Sequence, residues 1–350
     1  MTSGAPHDAP FRAGIIGFGL AGRVFHAPFL ATNPAFTIAA IATSDTDRAA
    51  QASAAHPDAT IMSTDALLAQ AADLDLIVLA SPPHVHREQA VAALEAGAAV
   101  VIDKPFVPTV ADAEAIIAAA EQAQRPLTVF QNRRWDGDFR TVMKLVNTGA
   151  LGTVHRFEST FERFGAPKRD QWQGQISAAQ GGGILFDLGS HLIDQALTLF
   201  GPATLEVAEL RAVREGLGSE DDAFISLRHD SGVRSHLTMS RVAAQRGPRF
   251  RVLGDESGYS VYGLDGQEPD LKAGRWPGAE GYGETPKTDW GLLGVDNGEQ
   301  PLVPVPTEQG AYPDFYAQVA ASIRDGAPVP VDARHALETV RIIEQAHALS

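Results

Sequence analysis

The chain has 350 residues, 44% hydrophobic and 20% charged; this exceeds one ordinary domain and predicts two packed domains with a sizeable core. It holds no cysteine, which excludes disulfides, cysteine-ligated zinc, iron–sulfur clusters and thiol nucleophiles and fits a reducing compartment. A formal net charge of -15 argues against nucleic acid or anionic membrane surfaces as partners, and leaves any phosphate-bearing ligand to be held by local positive features. The opening Met1–Arg12 is polar, without the apolar core of a signal peptide, and no apolar run reaches the roughly 20 residues that cross a bilayer. A soluble, cytoplasmic protein is expected.

In chain order, Ala13–Gly17 predicts a strand, Ala21–Ala31 a helix and Thr37–Thr43 a second strand. Asp75–Ala80, Ala99–Ile102 and Leu127–Phe130 read as further strands, with helices at Arg87–Ala96 and Val110–Ala123 between them. Continuous apolar strands alternating with helices predict a parallel sheet covered on both faces. After about Asn132 the pattern changes to polar–apolar alternation, at His155–Glu162, Glu206–Val213, Ala223–His229, Arg234–Ser240 and Arg249–Leu253. That period of two predicts a large, mostly antiparallel open sheet. Helices are expected at Gly182–Phe200, Tyr312–Asp325 and Ala333–Ala348, and the Gly- and Pro-rich Gly263–Pro306 reads as loops at a sheet edge. The fold class is thus α/β, an N-terminal nucleotide-binding domain at 1–131 followed by an α+β domain at 132–332 and a C-terminal helix at 333–350.

The first chemical motif is Gly17-Phe18-Gly19-Leu20-Ala21-Gly22, directly after a strand and opening a helix. Its first glycine permits a tight turn, the second lets backbone approach a pyrophosphate, and the third lets helix and strand pack closely. The acid that reads an adenosine ribose falls about 20 residues further on, where the second strand runs into Thr43, Ser44 and Asp45. Asp45 accepting from the ribose favours NAD. Thr43 and Ser44, with Arg48 supplying charge, could instead hold the 2′-phosphate of NADP, and either side chain could simply cap the next helix. A carboxylate beside that phosphate would repel it, so the balance of the residues tilts toward NAD.

Two further motifs carry chemistry. Asp103-Lys104-Pro105 follows the Ala99–Ile102 strand, which puts a lysine at the carboxyl edge where ligands bind in such folds; taken alone, Lys104 also reads as an ordinary surface lysine. The Lys104–Pro105 bond is a place where a cis peptide is feasible. Gly181-Gly182-Gly183 precedes Asp187 and His191, which share one face of an otherwise apolar helix with Asp194 beyond them. A charged pair among Leu and Ile side chains needs a reason, although a satisfied core histidine is the plain alternative. No metal site is expected: His84 and His86 are two residues apart and would not face one ion on a helix.

Taken together, Gly17–Gly22, the turn Ser81-Pro82-Pro83-His84-Val85-His86, Asp103-Lys104-Pro105 and Gly182 through His191 resemble the Gfo/Idh/MocA oxidoreductase family over nearly the whole chain. Asn132–Phe139, Asp187–Gln195 and Gly263–Glu268 are most similar to its scyllo-inositol dehydrogenase branch. The resemblance implies a Rossmann domain joined to an α+β domain whose open sheet commonly forms homo-oligomer contacts, in a dimer or tetramer. It implies NAD or NADP as cofactor, a polyol or sugar substrate, and Lys104, Asp187 and His191 as the catalytic set, meeting in one cleft. It adds Ser81, Pro82, His86, Asn132 and Arg133 to the cofactor contacts, and Trp135 and Trp172 to those of the substrate.

Two positions depart from the family pattern. Asp103 stands where a glutamate is usual, and the position of the NAD-reading acid falls on Ser44, one residue before Asp45; neighbours on a strand face opposite ways. The chemistry agrees with the carried-over roles. His191, with an ordinary pKa near 6.5, suits a general base at neutral pH, Lys104 can stabilise a developing alkoxide, and Asp187 can position hydroxyls or steady the imidazolium. Two other readings are a dehydrogenase or reductase of another sugar derivative, and a dinucleotide-binding sensor without turnover, which would have no need of the Lys104, Asp187 and His191 set.

Overall fold

The computed structural model describes residues 9–165 and 176–350. They form two compact units: one gathers the chain to Gln131 with Pro269–Tyr282 and Tyr312–Leu337, the other Asn132–Glu268, Gly283–Ala311 and Glu338–Ser350. No helix among the described residues is long and apolar enough to cross a membrane.

The first unit is built on a parallel sheet of β1 (Phe11–Ile16), β2 (Phe36–Ala42), β3 (Thr60–Met62), β4 (Leu76–Leu79), β5 (Ala99–Asp103) and β6 (Leu127–Phe130). Its strand order, β3-β2-β1-β4-β5-β6, is that of a doubly wound dinucleotide-binding fold, with the order reversing between β1 and β4. Burial on both faces explains why β4 and β6 are apolar at every position but Thr128 and fully buried.

Two features of this unit depart from expectation. The Ala21–Ala31 helix is divided: Ala21–His26 winds as a π turn and Ala27–Thr32 as an α-helix. Pro28, in the first turn of the α-helix, has no N–H to continue the ladder of the preceding turn. Nor is the contiguous 132–332 domain found, because the chain returns to the first unit twice. Aromatic packing draws it back: Tyr312 and Tyr316 lie against Phe29, and Phe315 is edge-on to Phe130 with centroids 4.8 Å apart.

The second unit holds a sheet in the order β14-β13-β12-β11-β7-β10-β9-β8. Its strands are β7 (Val154–Glu162), β8 (Ala203–Arg211), β9 (Asp222–His229), β10 (Arg234–Ser240), β11 (Phe250–Gly254), β12 (Gly258–Val261), β13 (Gly291–Gly294) and β14 (Val303–Val305). All neighbours run antiparallel except β7 with β10. The period of two assigns Phe157, Phe161, Ile225, Leu227, Leu237, Met239, Phe250 and Val252 to the core, where they meet Leu185, Phe186, Leu188, Leu192 and Ile193. The opposite positions carry charge pairs such as Arg251 with Glu158 and Arg228 with Glu206. The stretch read as loops at Gly263–Pro306 supplies β13, β14 and a short helix at Gln267–Lys272.

Candidate functional site

At the carboxyl end of β1 the glycine motif takes the shape its spacing demands. Gly17 has φ +97°, and a Cβ there would collide with the Ala80 carbonyl at the end of β4. A Cβ on Gly22 would collide with the carbonyl oxygen of Gly17 itself. Gly19 differs, since only the Arg48 guanidinium comes within 4 Å of where its Cβ would be, with Nη1 at 3.7 Å. The loop is therefore closed where turn and helix pack and open above Gly19, the shape that fits a pyrophosphate approaching bare backbone. Phe18 is buried, with its ring edge-on to His56, and Leu20 is exposed.

Beyond β2, Asp45 is the N-cap of the helix Thr46–Ala55, its carboxylate accepting from the Arg48 backbone N–H at 2.9 Å. It also faces Arg48 Nε at 3.8 Å, and Thr43 Oγ1 accepts from the Asp45 N–H. The carboxylate expected to meet a ribose is thus engaged as a cap, while the Arg48 guanidinium lies beside Gly19.

The Ser81–His86 turn lies at the carboxyl end of β4. Ser81 donates to Gln89 at 2.6 Å. His86 is buried, with Nδ1 2.7 Å from the Phe106 carbonyl and Nε2 2.8 Å from the Ser81 carbonyl. Two carbonyl acceptors would match an imidazolium; burial acts more strongly and holds the ring below its ordinary pKa. The ring, expected as a cofactor contact, ties the end of β4 to the segment after Pro105 through both of its nitrogens. Lys104 follows β5 at its carboxyl edge, partly exposed, and the Lys104–Pro105 peptide is cis.

Asp187 and His191 belong to the second unit. Leu185–Gly189 winds as a π turn and Ser190–Phe200 continues as an α-helix, so the two residues are joined across a wider turn than the α spacing assumed. The turn is capped from outside: Ile184 donates to the Glu220 carbonyl and Leu185 to the Glu220 carboxylate, both at 3.0 Å. Burial raises the Glu220 carboxyl above its ordinary pKa. Asp187 receives Arg241 Nη2 at 2.5 Å and faces Arg163 at 3.7 Å. His191 is 3% exposed. Asp194, one turn on, is held by both Nε and Nη2 of Arg134.

Sequence reasoning missed Arg241 and Glu220. Arg241 directly follows β10 and Glu220 opens an acidic run; nothing in the local sequence marks either, and only the fold brings them against the Asp187 turn. Of the other expected contacts, Asn132 and Arg133 are buried, and Arg133 is engaged by Asp136 at 3.1 Å and Glu268 at 2.7 Å, above the Phe161 ring. Trp135 accepts through its carbonyl from Ala311 and Gln267. Trp172 lies outside the described residues.

Comparison with known proteins gives this geometry a lineage. Residues 11–131 match the model of an oxidoreductase family with an NAD-binding Rossmann fold, and residues 139–260 match the Gfo/Idh/MocA C-terminal domain. The chain is 32% identical over 336 residues to scyllo-inositol 2-dehydrogenase (NADP(+)) IolW of Bacillus subtilis (strain 168), covering 96% of this chain and 92% of that one. It is 38% identical to an uncharacterized oxidoreductase, YdgJ, of Escherichia coli (strain K12), over 95% of this chain and 94% of that one. Among solved structures, yvaA of Bacillus subtilis superposes with a TM-score of 0.87 at 32% identity, covering 97% of each chain.

Proposed function

Since the chain belongs to the Gfo/Idh/MocA family of NAD(P)-binding oxidoreductases, we propose that it transfers hydride between a secondary alcohol of an inositol or sugar and the nicotinamide of NADP. The observation that carries the cofactor choice is the Arg48 guanidinium beside Gly19, with Asp45 occupied as a helix cap. An arginine there can pair with a 2′-phosphate. IolW, similar over nearly its whole length, is named for NADP(+). The polyol substrate rests on that same likeness and on the similarity to a D-apiose dehydrogenase of Paraburkholderia graminis, 34% identical over 59% of this chain and 55% of that one.

The bound nicotinamide would accept or deliver the hydride, and the glycine loop at Gly17–Gly22 would hold its pyrophosphate. The chain's own groups handle the proton. His191 takes it from the substrate hydroxyl as general base. Lys104 donates a hydrogen bond to the same oxygen and stabilises its developing charge. Asp187 is fixed between Arg241 and Arg163 and is assigned the orientation of a neighbouring hydroxyl rather than the base role.

A panel of inositols and aldoses with NADP and NAD, followed by nicotinamide absorbance, tests the reading. Turnover is expected with NADP preferred, and Arg48→Ala should weaken NADP by about tenfold, the equivalent of about 1.4 kcal/mol, with little change for NAD. His191→Ala should lower kcat by about 10²–10⁴-fold with NADP affinity retained. Cofactor binding without turnover on any member of the panel would mark a sensor instead.

A further inference from the structure

A buried polar chain runs through the aromatic interior of the first unit and ends beside Lys104. His26, the last residue of the Ala21–His26 turn, is fully buried. Its Nδ1 lies 2.8 Å from the hydroxyl of Tyr316, itself fully buried. Its Nε2 faces the Asp103 carboxylate at 3.4 Å, within ion-pair range but longer than a good hydrogen bond. Phe130 packs on the imidazole with centroids 4.5 Å apart, and Phe29, Phe36, Phe130 and Phe315 surround the tyrosine ring.

The direction of the chain follows from its members. Burial, and then the charge of Asp103, raise Tyr316 well above the ordinary tyrosine pKa, so the hydroxyl keeps its proton. A neutral hydroxyl can donate or accept; in the inferred chain it donates to Nδ1, 2.8 Å away, which puts the ring hydrogen on Nε2, the side that faces the carboxylate. Two polar groups buried among phenylalanines, His26 and Tyr316, leading to a carboxylate that keeps 15% exposure, are an expensive way to fill space, since apolar side chains of the same volume pack there without desolvation. Such an arrangement needs a reason outside packing. The residue where it ends, Asp103, is the one before Lys104. Three residues beyond Asp103, the Phe106 carbonyl is held by His86. The lysine thus leaves a segment anchored at residues 103 and 106 by two histidines from different parts of the fold.

We infer that Tyr316, His26 and Asp103 are positioning residues for the proposed reaction, a chain that fixes the strand end from which Lys104 reaches the substrate oxygen. The inference rests on the reading of Lys104 given above. Tyr316 sets which nitrogen of His26 carries the hydrogen, His26 orients the Asp103 carboxylate, and the carboxylate locks the backbone entering Lys104.

The test pairs Tyr316→Phe, which removes one hydroxyl and keeps the ring, with Asp103→Asn, Asp103→Glu and the double variant Tyr316→Phe/Asp103→Asn. Tyr316→Phe and Asp103→Asn should each lower kcat by about tenfold, since small misplacements of a catalytic group cost that much or more. NADP affinity should stay at the wild-type value. The double variant should be no slower than the slower single one, because both break the same chain, and Asp103→Glu should keep most of the activity. A multiplicative double variant, or wild-type kcat in Tyr316→Phe, overturns the inference. Lys104→Ala separates the two readings: if it keeps turnover, the role of the lysine fails; if it alone collapses turnover, only the chain fails. Two measurements need no substrate. Nitrogen-15 NMR of labelled histidine should show the His26 hydrogen on Nε2, and hydrogen exchange at Lys104 and Phe106 should quicken in Tyr316→Phe. A hydrogen on Nδ1, or unchanged exchange, overturns the chain whatever the assays give.

Discussion

Lys104 leaves the end of β5 on a segment held by histidines and backbone carbonyls, whereas Asp187 and His191 ride a helix whose opening turn is held by Glu220, Arg241 and Arg163. The glycines around each show the same contrast. Gly22 has the rigid Gly17 carbonyl where a side chain would go, while Gly183, at φ +96°, has the far end of the Glu220 side chain. The glycine loop of the first unit is shaped by backbone that cannot give way. The Asp187 turn of the second unit is shaped by charged side chains that can shift, at an electrostatic cost.

The largest expected effect follows from that difference. Gly22→Ala puts a methyl group into a carbonyl oxygen that has nowhere to go, and should remove NADP binding, a loss of about 100-fold or more if the strain exceeds about 3 kcal/mol. Gly183→Ala meets only a carboxylate end, plus the strain of a left-handed backbone of about 1–2 kcal/mol, and should still bind NADP while losing melting temperature. Isothermal titration and thermal melts separate the two; equal loss of binding in both would erase the contrast.

Arg241 is the sharper probe of the second region. Arg241→Ala leaves Asp187 with Arg163 alone among its two arginines. Asp187 keeps 19% exposure, so the stability loss should be about 2 kcal/mol, below the about 3–5 kcal/mol of a fully buried broken pair. Turnover should fall at least tenfold with NADP affinity intact if Asp187 has the orienting role proposed for it, because its carboxylate loses its direction. Arg241→Lys should recover little, since an ammonium cannot reproduce the guanidinium fork. Wild-type kcat in Arg241→Ala would remove Asp187 from the reaction.

Much of the fold is legible in the sequence, for physical reasons that also explain the gaps. Strands buried on both faces are continuous apolar runs, and those with one polar face alternate, so β1–β2 and β4–β11 emerge within a few residues of their ends. β3, β12, β13 and β14 are three or four residues long, too short for a period to show, and β14 carries a proline. The π turn at Ala21–His26 follows from Pro28 but is not forced by any residue inside the turn. The interleaving of the two units was hidden because Tyr312 and Tyr316 present the same amphipathic pattern whichever core they join. At the site, glycine spacing announced the nucleotide loop, since only glycine tolerates those contacts. Arg241, Glu220, His26 and Tyr316 gave no local signal: each acts on a residue far away in the chain.

Acidity distinguishes the regions more gently. Asp138 and Asp265, both buried in the second unit, are pushed up to about 6 and about 7, by burial first and by Asp136 second. A carboxyl raised in the folded state binds its proton there more tightly than in the unfolded chain. Its contribution to stability is therefore present at low pH and lost as pH rises through the folded value. Buried histidines such as His86 and His229, lowered by desolvation, act oppositely below about pH 6.5, so a difference measurement is needed. The melting temperature of Asp138→Asn minus that of the wild type should become more positive between pH 5 and pH 8, by a few degrees, at about 2–4 °C per kcal/mol. A flat difference would mean that Asp138 titrates as an ordinary carboxyl.

The smallest effect returns to the first unit and to the one acid that sequence alone could not place. As an N-cap, the Asp45 carboxylate accepts the Arg48 N–H at 2.9 Å, and Asp45→Ala should cost about 1 kcal/mol of stability. Asp45→Ser supplies an equally good cap oxygen and should melt like the wild type. Its exposed pairing with Arg48, both side chains about half accessible, adds little. The cofactor titrations then decide between cap and ribose reader. A cap predicts that Asp45→Ser binds NAD as the wild type does and binds NADP at least as well, because one negative charge near the 2′-phosphate is gone. A ribose reader predicts weaker NAD in both variants, whatever their stability. Loss of NAD affinity in Asp45→Ser at unchanged melting temperature would restore Asp45 to the cofactor site and set aside the assignment of Arg48 to a 2′-phosphate.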